Sequence, residues 1–194
     1  MKFAKHLIAL AAVAAAIAVP MSAQAESDVN TVSSVGQSAS ARLNFRVTVP
    51  KVIYLQVGTG TAFTDVTTVD EVLFSLTAGQ VTTPGAVAAS GAGVTARILG
   101  NGGNVSLTAN GTSGGLANTP MSSTIAWSEI TGTSSSASLP HPAIGNGVAG
   151  AASSLTATAG IVNQTATWTF SYANAATVAA GDYTGQVTYT AALP

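Results

Sequence analysis

Apolar and polar positions alternate along most of this chain, and the longest strict run lies at Ala39–Val49. Ala39, Ala41, Leu43, Phe45, Val47 and Val49 take the odd places, and Ser40, Arg42, Asn44, Arg46 and Thr48 the even ones. A period of two over eleven residues predicts a strand with one buried and one wet face. Pro50 ends it, because proline cannot donate to a ladder. Ile53, Leu55 and Val57 resume the pattern, and so do Val72, Phe74 and Leu76. Val94, Ala96 and Ile98 follow, and Gly100-Asn101-Gly102-Gly103 then predicts a tight hairpin returning through Asn104 to Ala109. Shorter strands are expected at 125–130 and 153–158.

The C-terminal part is the most regular. Ala166, Trp168, Phe170 and Tyr172 alternate with threonine and serine. After a Gly181-Asp182 turn, Tyr183, Val187, Tyr189 and Ala191 do the same. Threonine and aromatic residues favour a pleated, half-buried surface. Helical period is sustained nowhere beyond the first 25 residues, and Ala173 to Ala180 has room for one helical turn. Seven to nine short strands separated by Gly and Asn turns predict an all-β fold, an antiparallel immunoglobulin-like β-sandwich. The expected core is aromatic: Phe45, Tyr54, Phe74, Trp127, Trp168, Phe170 and Tyr172. In front of a single domain at 39–194 lies an extended N-terminal arm at 26–38, rich in valine, threonine and serine.

Residues 1–25 stand apart. A basic start (Lys2, Lys5) precedes an apolar run from Leu7 to Val19, and Ala23-Gln24-Ala25 has the small-x-small form of a signal-peptidase site. The run is shorter than the ~20 residues a membrane span needs. Cleavage after Ala25 takes 25 residues from 194 and leaves 169, enough for one core. Lys2 and Lys5 leave with it, so six bases become four against seven acids, a net charge of −3. That balance gives no electrostatic attraction to nucleic acid. The chain has no cysteine, so packing and backbone pairing alone hold the exported domain together.

Candidate chemistry is thin. His141, held between Pro140 and Pro142, is the one histidine beyond the leader and reads as a surface loop residue. One histidine without cysteine does not make the usual zinc set. Asp65, Asp70 and Glu71 read as a solvated turn, and Gly100 to Gly103 joins strand to strand without the helix a phosphate site needs. These features predict no enzyme, no cofactor and no metal.

The tail Ala180-Gly181-Asp182-Tyr183-Thr184-Gly185-Gln186-Val187-Thr188-Tyr189-Thr190 resembles the closing strand of bacterial fimbrial subunits of the chaperone–usher and spore-coat-U-like kind. The resemblance implies a structural subunit of an extracellular filament assembled by donor-strand exchange, in which one subunit's arm fills a groove on the next. Its partners would be copies of itself or related subunits, with a periplasmic chaperone and an outer-membrane usher, and the chain would cross the periplasm to the cell surface. Val29, Thr31, Val32 and Val35 are then the candidate arm contacts. Phe45, Trp168, Phe170, Tyr172, Tyr183, Val187 and Tyr189 form the core and closing strands. Trp168-Thr169-Phe170 and Tyr183-Thr184-Gly185 are also similar to WxL domains, which implies instead a secreted module binding the cell wall or a carbohydrate.

Overall fold

A computed structural model describes residues 26–31, 36–61 and 63–194. The expected signal segment lies outside them. Residues 49–194 form one compact unit, and residues up to 48 group separately.

The compact unit is built from two packed sheets. The first contains β1 (Ile53–Val57), β2 (Val87–Ala88), β3 (Val94–Gly100), β7 (Ile130–Ser134) and β10 (Val162–Tyr172). Its order is β1-β3-β10, with β2 and β7 also paired to β10. The second contains β4 (Val105–Gly111), β8 (Ile144–Asn146), β9 (Ser153–Leu155) and β11 (Val187–Ala192). β4 is its centre, paired with β11 and β9 antiparallel and with β8 parallel. A short ribbon joins β5 (Leu116–Asn118) to β6 (Ser123–Ile125). Helix is confined, among the described residues, to one turn at α1 (Ala78–Thr82) and a 3-10 turn at Trp127–Glu129.

The core lies between the sheets. Ala96 and Ile98 of β3, together with Val162, Ala166 and Trp168 of β10, face Val105 and Leu107 of β4 and Leu155 of β9. Every second residue of β3, β4 and β10 points inward, as the alternation requires. Trp168 is wholly enclosed, and its indole N–H donates to the Leu139 carbonyl at 3.2 Å. Burying that donor without a partner would oppose folding, so Leu139 has to be where it is.

Several expectations need correction. Ala39–Val49 is not a paired strand: it belongs to no sheet and every residue in it is exposed. Phe45, expected in the core, is therefore at the surface. The hairpin at Gly100–Gly103 is not a hairpin. β3 pairs with β1 and β10, β4 pairs with β11, β8 and β9, and the link carries the chain from one sheet to the other. Gly103 has φ +106°, the left-handed region glycine tolerates. Residues 72–76 alternate in burial but make no ladder. The helical turn falls at Ala78–Thr82, where Thr77 and Gln80 form a capping box, and not at 173–180. His141 is half-buried, not a free surface residue.

Candidate functional site: an unpaired apolar arm and an open sandwich edge

Residues 43–49, across the boundary of the two units, contribute the first feature. Leu43, Phe45, Val47 and Val49 are 67%, 87%, 86% and 73% exposed, at alternate positions of a segment that forms no helix or strand. Single exposed apolar residues are ordinary on a protein surface; four within seven residues are a local concentration of apolar surface. On the polar side Arg42 donates to Glu26 through two bonds of 2.8 and 2.9 Å, which holds the Glu26 carboxyl below its usual pKa. Both partners are solvated, so this pair contributes little. Of the expected arm contacts, Val29 and Thr31 are exposed, while Val32 and Val35 lie outside the described residues.

The compact unit contributes the second feature, the free outer edges of β1 and β11, which approach each other to within 8 Å between Cα atoms. Val52 O accepts from Asn101 N at 3.3 Å, Val52 N donates to Asn101 Oδ1 at 2.6 Å, and Gly58 N donates to Thr95 O at 2.8 Å. Even-numbered residues of β1 therefore bond to β3. The main-chain groups of Ile53, Leu55 and Val57 point the other way. On β11, Gln186 O accepts from Thr112 N at 2.9 Å, so Val187, Tyr189 and Ala191 turn their main chain away from β4. Neither outer edge pairs with a strand among the described residues. A cleft of about 400 Å³ runs along all five residues of β1 and is bounded by Tyr189 of β11 and the loop through Asp65. Leu55, Val57, Tyr189 and Ala191 are only partly covered and pack on the core from this side.

Behind these edges sits an aromatic box. The His141 ring meets Trp168, Phe170 and Tyr189 edge-on, with centroids 4.9, 5.1 and 5.6 Å away. His141 Nε2 and the Tyr189 hydroxyl share a hydrogen bond of 2.8 Å. Gly132 of β7 lies beneath the imidazole, where a methyl group would overlap it. Burial pushes the imidazole pKa down to about 4 and raises that of the Tyr189 phenol. Leu139 and Pro142, both fully buried, anchor the loop on either side of His141. Two bulky apolar residues flanking the histidine were the sequence signal that this loop is packed.

The remaining candidates are structural. Asp70 accepts from both the main-chain N–H and the hydroxyl of Thr59, so its carboxylate is used within the turn. No cluster of three metal-ligating side chains occurs among the described residues. No helix among them is long and apolar enough to cross a membrane. Tyr172 is buried, whereas Phe170, Tyr183 and Val187 are half-buried. Tyr183 donates its hydroxyl to Ala179 O at 2.9 Å. The Trp168 indole, on which the WxL resemblance rests, has no exposed surface to offer a ligand. Compared with protein-family models, curated proteins and solved structures, the chain finds no match.

Proposed function

We propose that this chain is a non-catalytic structural subunit of an extracellular filament, assembled by strand exchange between copies. The observation that carries the reading is the exposed, alternating apolar row Leu43, Phe45, Val47 and Val49 on a segment with no strand partner among the described residues. Such a segment has the pattern of a strand without the sheet, and a sheet edge on another molecule supplies both missing parts. We place the donor at Ala39–Val49 in preference to Val29–Val35, because the longer stretch keeps strict alternation throughout. The leader at 1–25 supports export, and the tail's resemblance to fimbrial subunits supports a surface destination served by a chaperone and an usher.

Two truncations of the exported chain test this by electron microscopy and sedimentation. A chain that starts at Pro50 is expected to stay monomeric, and one that starts at Gln37 to polymerise. Polymers formed by the chain starting at Pro50 would sink the reading. Polymers lost already in the chain starting at Gln37 would move the donor back to residues 29–35.

A further inference from the structure

We propose that the cleft between β1 and the loop at 59–68 is a binding site for a neutral saccharide. The inference stands apart from the assembly reading and does not depend on it. The cleft of about 400 Å³ falls within the roughly 300–1,000 Å³ of small-molecule sites and has room for a short sugar chain.

The polar groups of the loop define the ligand. Thr61, Thr64, Asp65 and Thr68 line the cleft. Among the described residues none of these four side chains makes a hydrogen bond or an ion pair. The nearby Asp70 differs, since both its oxygens are taken by Thr59. A free carboxylate only accepts hydrogen bonds, and a threonine hydroxyl both donates and accepts. The complementary ligand therefore carries several O–H groups side by side, which is the chemistry of a sugar diol. The lining holds no base to grip an anion. One carboxylate among hydroxyls falls short of the oxygen set that a calcium ion takes. Three neutral hydroxyls to one carboxylate favour a polyol over an organic cation.

The apolar side of a sugar has its counterpart too. The Tyr54 ring lines the cleft, and Phe63 packs against it with centroids 4.8 Å apart and planes tilted by 43°. Phe63 is 62% exposed and has φ +60°, a conformation rare for a bulky side chain. Backbone strain of this kind clusters at ligand clamps. Here it keeps an aromatic face open to solvent beside the cleft, where the C–H face of a sugar ring can lie on it. The strand also fixes the start of the loop. The Tyr54 hydroxyl donates to Gln56 Oε1 at 2.9 Å, and the Gln56 amide donates to Gly58 O and Gly60 O at 3.2 Å each. A cleft already fixed in shape loses less binding energy to ordering.

Ligand-observed saturation-transfer NMR on the exported chain, starting at Glu26, tests the site, because it tolerates polymers. The probes are a panel of neutral mono- and disaccharides, with glucosamine and N-acetylglucosamine as the charged and neutral members of one pair. A printed array of surface glycans is the second arm. Transfer is expected to at least one neutral sugar. Asp65→Asn is expected to weaken that binding by about 10-fold or more. Phe63→Asn, with a side chain suited to positive φ, is expected to weaken it as well. Glu71→Gln, a carboxylate outside the cleft lining, should leave it unchanged. The Asp65→Asn chain should melt with the unmodified one, so that its loss reports the ligand and not the fold. Binding to the array without binding to the small sugars supports the proposal, with a longer glycan as the ligand. No binding in either arm overturns it. So does binding that Asp65→Asn and Phe63→Asn both leave untouched. Binding to glucosamine alone, abolished by salt, also overturns it and makes Asp65 a contact for organic cations.

Discussion

His141 shows what one side chain contributes when the sheets close around it. The groups that face it are Trp168 and Phe170 on β10, Tyr189 on β11 and Gly132 on β7, none of them charged. Nothing there stabilises an imidazolium, so the folded form holds the ring neutral down to about pH 4. The unfolded chain takes up the proton near pH 6.5. Between those two values the unfolded state binds more protons, and stability falls as pH falls. The loss is on the order of 2 kcal/mol, kept below the full linkage value by the ring's partial exposure. Thermal melts at about pH 7.5 and about pH 4.5 should show this drop, and His141→Asn should flatten it; equal drops in both proteins would exclude the histidine as the source. Trp168→Ala is a different kind of test. It empties a fully enclosed site and is expected to lower stability by about 3–5 kcal/mol, read from the urea midpoint. The sequence made Trp168 legible as core, because an indole on the apolar side of a regular strand has few other places to go. It did not make His141 legible. A proline-flanked histidine looks like a loop residue until the buried neighbours Leu139 and Pro142 are seen to pull it inward.

Asn101 decides how two elements connect. Its main-chain N–H and its side-chain amide both bond to the Pro50–Val52 segment, which prolongs the β1–β3 pairing past the end of the strand. Asn101→Ala removes the two side-chain bonds. At a solvated site this is expected to cost about 1–2 kcal/mol, with faster hydrogen exchange at the Val52 amide and unchanged exchange across β4. Exchange that speeds up equally in β4 would mean the link, and not the clamp, had failed. The Asn-Gly signal at this turn correctly announced a change of direction. It carried no information on which sheet the next strand enters. Ala96 and Ile98 must be buried whether Val105 and Leu107 lie beside them in one sheet or opposite them in another. One period of two serves both arrangements, so strand existence was legible and pairing order was not. The same limit hid the free edges. Ile53–Val57 and Val187–Ala192 both read as strands, but nothing in their pattern says that each occupies an edge.

At the scale of the molecule the question is what the arm's alternation is for. A strand with one apolar face inside a sandwich would be covered by the other sheet, yet Ala39–Val49 is exposed along its whole length. Its pattern was legible, and its partner was not, because the covering surface need not belong to the same chain. This has a consequence that separates folding from assembly. Phe45→Asp changes a side chain that the folded unit does not bury, so the melting temperature of the 49–194 unit is expected to stay within experimental error of the unmodified chain. Assembly should respond strongly. Withholding a phenyl ring from an apolar seat forfeits up to about 3 kcal/mol, and a buried carboxylate adds a further penalty. A loss of about 3 kcal/mol alone raises the concentration needed for polymers on the order of 100-fold. Sedimentation over a dilution series measures that threshold directly, and Arg46→Ser, on the polar face, serves as the companion that should shift it by far less. A Phe45→Asp chain that polymerised at the unmodified concentration would place the apolar row outside the contact. One that instead lost its cooperative melt would mean Phe45 supports the fold after all.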